Sequence, residues 1–202
     1  MEAPTDERLL SEFLRGDPAC FDLLVRRHSR ELYQFVVRLT GDAMAAEDVI
    51  QETFLKVHGA GDSFDPTRRF KPWLFTIAAN KARDHIRRRV RRREVSFDAQ
   101  IRHDAEGTQR YIHLLTGEGT PPDEELLLDE KRRIVRDVIE QMPGKLSETL
   151  ILAYYHRFAY KDIGEVVGIP LGTVKSRLHA AVAWFAEHYK QAVDDQMKHK
   201  TS

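Results

Sequence analysis

The residues best suited to bind a charged polymer are concentrated between Phe70 and Arg93. Six arginines lie between positions 87 and 93, and aromatic side chains stand upstream of them at positions 64, 70, 73 and 75. Arginine and lysine bind phosphates and ring faces stack on unpaired bases, so this combination is typical of a surface for single-stranded nucleic acid. The alternative, in which Trp73 is a core residue and the arginines only face solvent, stays open for each residue taken singly.

The same segment has the spacing of an amphipathic helix. Apolar residues recur every fourth position from Leu74 to Val90, and Pro72 suits the first turn, where its missing N–H is no loss. Asn80, Asp84 and Arg87 lie off this apolar stripe. We therefore predict a helix of about five turns that buries the stripe and presents the polar residues outward.

Charge is unevenly distributed along the 202 residues, although 32 basic and 32 acidic residues cancel in sum. From Asp65 to Arg93 there are eleven Lys or Arg against two acids, whereas residues 121–140 carry seven acids against four bases. A chain that is neutral in sum can thus carry a local anion-binding face. With 32% charged and 42% hydrophobic residues, we expect a soluble, mostly helical protein.

The composition also argues against several classes of site. Cys20 is the single cysteine, so an internal disulfide and a Cys-rich metal site are excluded, and we expect Cys20 to be a small buried hydrophobe. The histidines lack metal-ligand spacing, and we find no glycine-rich phosphate loop or nucleophile triad, so we expect no metal, no cofactor and no enzyme activity. No apolar run could span a membrane and no signal peptide begins the chain, which predicts a cytoplasmic location.

A second candidate surface lies on a helix predicted to begin at Asp42, after a helix bounded by Asp17–Pro18 and Gly41. Its apolar residues share one face. The opposite face carries Glu47, Asp48, Gln51, Glu52 and Leu55. An acidic face with an exposed leucine is most often only solvated, but it is also what a basic partner helix could dock on.

The C-terminal part contains a short helix, a glycine-containing turn and a longer helix, which is the helix-turn-helix pattern. We place these elements at 160–167, 168–172 and 173–189, with Thr173 as a candidate cap of the second helix. Ser147 is the candidate cap of the preceding helix. A plain helical hairpin is the alternative.

Residues 96–122 have weak periodicity, with three glycines and two prolines. So long a structureless connection is unusual inside one compact domain. We therefore predict an all-α protein with two small helical domains, residues 1–95 and 123–202, joined by a long linker, 96–122.

Three stretches together resemble bacterial RNA polymerase sigma factors of the extracytoplasmic-function (ECF) type. They read A-E-D-V-I-Q-E-T-F-L-K-V (46–57), R-F-K-P-W-L-F-T-I-A-A-N-K-A-R-D-H-I-R-R-R (69–89) and F-A-Y-K-D-I-G-E-V-V-G-I-P-L-G-T-V-K-S-R-L-H (158–179). The first two resemble sigma region 2, and the third resembles the helix-turn-helix of sigma region 4. Two such domains in this order make the joint match highly specific.

The resemblance implies a sigma factor that binds core RNA polymerase and directs promoter-specific transcription initiation. The face of Asp48, Gln51, Glu52 and Leu55 would dock on the clamp helices of the polymerase largest subunit. The N-terminal domain would recognise and melt the −10 element, and the C-terminal domain would read the −35 element in duplex DNA. The linker would run towards the polymerase active-site and RNA-exit channels. An anti-sigma factor is a common partner in such families, and the sequence leaves open whether this chain has one.

The resemblance also assigns DNA-binding residues, with Asn80 and Asp84 matching positions near a flipped-out base. The residues expected to hold single-stranded −10 DNA are Phe64, Arg68, Arg69, Trp73, Asn80, Arg83, Asp84, Arg87 and Arg88. The residues expected at −35 DNA are Leu171, Thr173, Lys175, Ser176, Arg177 and His179.

Some positions depart from the family pattern. Ala180 and Val182 stand where arginines are common in such sigma factors, and neither side chain can donate a hydrogen bond to a base or phosphate. Gly164 stands where the family usually has alanine. Two other classes of protein compete: a helix-turn-helix regulator that never joins polymerase, which leaves residues 73–93 without a role, and an RNA-binding or structural helical protein, which leaves the turn motif unexplained.

Overall fold

The computed structural model describes residues 3–65, 67–95 and 122–200, and these residues form helices and no strand. The N-terminal domain consists of α1 (Asp6–Leu14), α2 (Pro18–Thr40), α3 (Ala43–Ala60), a 3₁₀ turn (Gly61–Ser63) and α4 (Phe70–Val95). The C-terminal domain consists of α5 (Pro122–Gln141), α6 (Gly144–Tyr154), α7 (Tyr160–Val167) and α8 (Leu171–Lys200). The all-α prediction with two helical domains is confirmed. The predicted linker lies outside the described residues, apart from Pro122, where α5 begins.

Local capping residues set the ends of the N-terminal helices as predicted. The Asp17 carboxylate accepts a hydrogen bond from the N–H of Ala19, and Pro18 occupies the first helical position of α2. Gly41 ends α2 in the left-handed conformation at φ 66°, which a residue without Cβ adopts at little cost. Asp42 then caps α3 by accepting from the N–H groups of Met44 and Ala45.

Two predicted caps in the C-terminal domain are wrong. Ser147 lies inside the first turn of α6, where its hydroxyl donates to the carbonyl of Gly144 at 3.3 Å. Thr173 lies inside the first turn of α8, and its N–H donates to the carbonyl of Pro170 at 2.9 Å. Pro143 and Pro170 provide the first accepting carbonyls, so each helix begins earlier than a side-chain cap would place it. Helix α8 also continues beyond residue 189, to Lys200.

The core of the N-terminal domain lies where α2, α3 and α4 meet. Leu24, Leu32 and Phe35 of α2 are completely buried there, as are Leu74 and Phe75 of α4. Full burial of such a side chain stabilises the fold by about 1.5–3 kcal/mol. The predicted stripe of α4 therefore forms the core over its first half.

Towards its C-terminal end the α4 stripe leaves this core. Ala78 and Ala82 are fully buried, Ile86 is half-buried, and Val90 is 48% exposed. Of the arginines described near this end of α4, Arg87, Arg88 and Arg91 are exposed, whereas Arg89 is half-buried.

The two domains pack against each other through α2 and α4 on one side and α6 and α7 on the other. Phe75 of α4 lies 4.9 Å from Phe158 and 5.4 Å from His156, measured between ring centroids. Phe35 of α2 also contacts His156, at 5.6 Å. The buried apolar side chains of the two domains consequently form one continuous cluster.

Candidate nucleic-acid and polymerase interfaces

The predicted docking face on α3 lies at the surface. Asp48, Gln51, Glu52 and Leu55 are all exposed, while Ala45, Ala46, Val49, Phe54 and Val57 of the same helix are buried. Leu55 stands out because its side chain is 72% exposed. Glu52 accepts a hydrogen bond from Lys81 Nζ of α4 at 2.7 Å, which ties this face to the neighbouring helix. The α3 face thus combines negative charge with an exposed leucine, which suits a cationic, partly apolar partner.

The aromatic residues before and at the start of α4 form a cluster with two different environments. Phe64 lies 4.9 Å from Trp73 and 6.1 Å from Phe70, between ring centroids. Phe70 and Phe75 are completely buried, so they belong to the core and cannot stack on bases. Phe64 and Trp73 are half-buried and are the members of this cluster with ring surface to offer a ligand.

The polar side of α4 carries several of the predicted −10 residues in one stripe. Consecutive residues of a helix are about 100° apart around its axis, so Asn80, Asp84, Arg87 and Arg91 lie on the side opposite Ala78. Asn80 and Arg87 are exposed, and so is Arg88 beside the stripe. We call Asn80, Asp84, Arg87 and Arg91 the α4 polar stripe. The side chains beyond Arg91 on this helix lie outside the described residues.

Within the α4 polar stripe, Asp84 and Arg87 form an ion pair. The hydrogen bond from Arg87 lowers the pKa of the Asp84 carboxyl, which keeps it ionised at neutral pH. An ionised Asp84 can only accept hydrogen bonds, whereas the Asn80 amide one turn earlier can donate and accept. The stripe therefore offers both kinds of hydrogen-bonding group to a base edge, next to arginines that can hold phosphates.

Two predicted −10 residues contact the C-terminal domain. Arg69 Nη1 lies 2.7 Å from Asp162 Oδ2 of α7, while the Arg69 side chain remains 73% exposed. Arg83 donates to the carbonyls of Ala79 and Val166, at 3.2 and 3.4 Å. By contrast, Arg68 is exposed, and its ion pair is with the nearby Asp65 at 3.7 Å.

Arg83 also faces a buried acid of the C-terminal domain. Arg83 Nε lies 3.4 Å from Glu148 Oε1 of α6, without the geometry of a hydrogen bond, so that buried oxygen has no hydrogen-bond partner. Burial raises the pKa of Glu148, against the opposing charges of Arg83 and Arg177. Sequence reasoning missed this site because residues 83 and 148 are linked only by tertiary packing.

The helix-turn-helix has the predicted compact turn. Gly168 ends α7 at φ 73°, in the left-handed region that favours glycine. A Cβ at Gly164 would lie 2.9 Å from the carbonyl oxygen of Ile169, so the backbone of the turn approaches this residue closely. Ile163 and Val174 are fully buried between the two helices. This packing fixes α8 relative to α7.

The outer side of α8 carries the predicted −35 residues in two environments. Val174, Leu178 and Ala181 hold the helix in the core, which leaves the intervening positions outward. Thr173 and Arg177 are half-buried. The exposed members of the set are Leu171, Lys175, Ser176 and His179.

Ala180 and Val182 are exposed on the following turn, with Val182 42% accessible. They widen the apolar part of this surface without adding a donor. In the first three turns of α8, the exposed residues that can donate a hydrogen bond to DNA are Lys175, Ser176 and His179.

A mixed polar cluster lies at the joint between the domains and was not predicted. Glu31 of α2 contacts Lys71 Nζ at 2.7 Å and His156 Nδ1 at 3.4 Å. Burial opposes ionisation of Glu31, but hydrogen bonds from His156 and Lys71 outweigh it and lower the pKa of this carboxyl to about 2. Burial also lowers the pKa of His156, so its imidazole is neutral at neutral pH, with Nε2 lacking a hydrogen-bond partner.

None of the described helices is both long enough and apolar enough to cross a lipid bilayer.

The N-terminal and C-terminal domains each match the model of a known domain family. Residues 24–92 match the model of sigma-70 region 2, and residues 132–185 match a model of sigma-70 region 4. The chain is 30% identical over 173 residues to the ECF RNA polymerase sigma factor SigW of Bacillus subtilis, covering 86% of this chain and 90% of that protein. It is 35% identical over 181 residues to the RNA polymerase sigma-H factor of Pseudomonas aeruginosa, covering 87% of this chain and 89% of that protein.

Solved structures agree with these relationships. The sigma factor RpoE of Bartonella quintana, co-crystallised with the anti-sigma factor NepR, is similar with a TM-score of 0.64 at 25% identity, covering 84% of this chain and 96% of that chain. CnrH in complex with the cytosolic domain of CnrY has the same fold, with a TM-score of 0.64 at 23% identity, covering 90% of this chain and 95% of that chain. Matches to both sigma regions and to nearly full-length relatives lead to one conclusion: the chain belongs to the ECF-type RNA polymerase sigma factors.

Proposed function

We propose that this sigma factor binds core RNA polymerase, captures the melted −10 strand with α4 and reads the −35 element with α8. The observation that carries the proposal is the α4 polar stripe, which stands opposite an apolar stripe that is fully buried from Leu74 to Ala82 and is continuous with exposed arginines. Extracting a base from a duplex costs a few kcal/mol, which prepared contacts must offset. The amide of Asn80 supplies a base contact, and Arg87 and Arg88 supply phosphate contacts.

The α3 face is proposed to dock on the polymerase clamp helices. Its support is the exposure of Asp48, Gln51, Glu52 and Leu55 on a helix whose other side is already packed. The negative charge would steer the encounter, and the leucine would be buried on contact. The ion pair between Lys81 and Glu52 would have to break, or Glu52 would have to bind both cations, when a cationic partner binds.

The C-terminal helix-turn-helix is proposed to place α8 in the major groove of the −35 element, where base pairs are distinguishable. Lys175 suits phosphate, and Ser176, Arg177 and His179 suit base edges. The domain boundaries we propose are 1–95 and 123–202, with 96–122 between them. The protein would act in the cytoplasm with polymerase and without catalysis of its own. The complex of the related sigma factor RpoE with the anti-sigma factor NepR supports an anti-sigma factor as a further partner.

Strand capture is tested by Asn80→Ala in run-off transcription with purified core polymerase and permanganate footprinting of promoter thymines. Loss of one good base contact costs about 1–3 kcal/mol, so promoter use should fall about tenfold or more. Helix content and core binding should not change, because the side chain is exposed. Arg87→Ala should lower affinity for all sequences alike, with Arg26→Ala on exposed α2 surface as the matched control.

Two results would count against the proposal. If Asn80→Ala opens a matched promoter as well as the parent chain, and a premelted template shows no difference, α4 is not the strand-capture surface. If the parent chain does not co-elute with core polymerase on gel filtration, the protein is a helix-turn-helix regulator that works without polymerase.

A further inference from the structure

We infer that Glu7 of α1 is a positioning residue for strand capture, because it holds the first turn of α4 and so fixes where the rings of Phe64 and Trp73 lie. The inference rests on the proposed function, and it assigns these two ring faces to unstacked bases of the captured strand. Helix α1 lies N-terminal to residues 24–92, which match the model of sigma-70 region 2. The role of α1 therefore has to be argued from its own contacts.

The first contact is a hydrogen bond between α1 and α4. Glu7 Oε1 accepts from the N–H of Phe70 at 2.8 Å, although the two residues are 63 positions apart. Phe70 is the first residue of α4, and the N–H groups in the first turn of a helix have no partner within the helix. Arg69, which precedes Phe70, has a side chain that cannot accept a hydrogen bond. Glu7 thus supplies from another helix the acceptor that a capping side chain ordinarily supplies locally.

The position of Phe70 decides the position of the two rings. Trp73 follows Phe70 by about one turn of α4, and their ring centroids are 5.9 Å apart. Phe64 lies 6.1 Å from Phe70 and 4.9 Å from Trp73, so it packs against both. Phe70 is completely buried, whereas Phe64 and Trp73 are half-buried. A shift of Phe70 would therefore move the two ring faces that remain available to a strand.

Helix α1 is itself fixed to the body of the N-terminal domain. Asp6, the neighbour of Glu7, lies 2.7 Å from His28 Nε2 of α2, measured from Oδ2. Leu9 and Leu10 are buried in the core of the domain. The hydrogen bond from Glu7 consequently ties the start of α4 to an element that is already packed in place.

The same helix also contacts the chain on the other side of Phe64. Leu14, the last residue of α1, packs so closely on Gly61 that a Cβ there would lie 2.8 Å from Leu14 Cδ2. One end of α1 therefore contacts Phe70 through Glu7, and the other end contacts Gly61. Phe64 lies between these two contacts in the chain, so α1 sets the ends of the segment that carries it.

Electrostatics alone predicts the opposite effect of removing Glu7. A carboxylate beside a DNA-binding surface repels phosphates, so its removal by itself should raise the affinity for any nucleic acid. Loss of a positioning hydrogen bond should instead lower the affinity for a single strand. Glu7→Ala removes both the charge and the acceptor, whereas Glu7→Gln removes the charge and keeps an oxygen that can accept from Phe70. The signs of the two changes therefore separate the two effects.

The measurement uses each variant in complex with core RNA polymerase, on a premelted promoter template that carries 2-aminopurine in its exposed single strand. Glu7→Ala should bind this template about fivefold more weakly and change the 2-aminopurine fluorescence, because the rings no longer meet the bases in the same place. Glu7→Gln should bind at least as tightly as the parent chain and give the parental fluorescence. Binding of duplex DNA by the free chain should not fall in either variant.

Val49→Ala is the control for a general loss of stability, because Val49 is a buried residue of a different helix, α3. Circular dichroism checks that each variant folds. A Glu7→Ala complex that binds the template as tightly as the parent complex would overturn the positioning role and leave strand capture standing. Equal losses in Glu7→Ala and Val49→Ala, or in Glu7→Ala and Glu7→Gln, would also overturn it. A parent complex that binds the template no better than core polymerase alone would overturn strand capture and the positioning role together.

Discussion

Glu31 of α2 joins α4 and the loop between α6 and α7 at the domain joint, and its replacement by glutamine gives a quantitative test of that joint. Lys71 of α4 and His156, between α6 and α7, both bond to its carboxylate. Glu31→Gln keeps an oxygen that can accept from His156 but removes the charge that faces Lys71. We therefore expect lower stability with an unchanged fold.

The expected loss follows from the pKa of Glu31. The gap between its ordinary value of 4.5 and the folded value of about 2 corresponds to at most about 3 kcal/mol. The carboxylate side chain is 31% exposed, so solvent screening reduces this to about 1–2 kcal/mol. Because the folded pKa is depressed, the contribution is complete above pH 4.5 and is lost as the pH falls towards 2.

Urea denaturation of the parent chain and Glu31→Gln at pH 7 and at pH 3.5 measures this difference. The gap in unfolding free energy should be about 1–2 kcal/mol at pH 7 and smaller at pH 3.5. Asp22→Asn, an exposed acid on the same helix, should change stability by no more than about 0.5 kcal/mol. A Glu31→Gln chain as stable as the parent at pH 7, or a gap that does not shrink in acid, would refute the argument.

Two further predictions concern the proposed interfaces. Leu55→Ala should weaken core polymerase binding about tenfold in a pull-down titration, because a 72% exposed leucine would become buried on docking. Leu23→Ala on α2 is the control. Equal binding by both variants would contradict the proposal that the α3 face docks on polymerase. Lys175→Ala should weaken duplex binding for all sequences and lower the salt slope by about one, whereas His179→Ala should change base preference in a binding-site selection. Unchanged selectivity of His179→Ala would place base reading elsewhere.

Local signals in the sequence predicted the N-terminal helices well because each end depends on residues a few positions away. Asp17, Gly41 and Asp42 act through their own side chain or backbone conformation within one turn. Thr173 shows the limit of this reasoning, because a threonine after a proline and a glycine has the composition of a cap. The carbonyl of Pro170 accepts the hydrogen bond instead, and the helix begins at Leu171.

Burial of the aromatic residues at the start of α4 could not be predicted from composition. Phe70 is packed against His28 of α2 and bonds to Glu7 of α1, and Phe75 is packed against Phe158, in the loop before α7. The N–H of Phe70, for example, donates to Glu7 of α1 at 2.8 Å, across 63 positions of sequence. The sequence predicts an aromatic and basic surface, and tertiary packing decides which rings belong to it.

The contact between the two domains could not be predicted from local sequence either, because it too depends on tertiary packing. Arg69 and Asp162 are 93 positions apart, and each has an ordinary role within its own segment. Arg69, a basic residue before α4, is typical of a phosphate contact. Asp162, an acid in the first turn of α7, is typical of a favourable interaction with the helix dipole. Their pairing depends on the relative position of two domains, for which no residue spacing within either domain carries information.

Glu148 at this joint should affect stability in the opposite direction to Glu31. Its pKa is raised, chiefly by burial, so protonation is favoured in the folded chain. The stability it contributes is therefore present below its ordinary value of 4.5 and is lost as the pH rises through the folded pKa. Glu148→Gln mimics the protonated acid and should make the chain more stable at pH 7, by about 1 kcal/mol, because the buried charge disappears. Arg83 keeps its bonds to the carbonyls of Ala79 and Val166 in that variant.

Urea denaturation at pH 7 and pH 4 tests whether the buried charge of Glu148 destabilises the chain or whether Arg83 and Glu148 form a stabilising ion pair. The gain from Glu148→Gln should be present at pH 7 and should shrink at pH 4, where the folded parent chain is itself protonated at this site. Glu187→Gln on exposed α8 surface is the control and should show no such change. A variant that is less stable than the parent at pH 7 and equal to it at pH 4 would show that attraction to Arg83 outweighs the cost of burying the carboxylate. The Arg83–Glu148 contact would then be a net clamp between the domains, and opening the chain would have to break it.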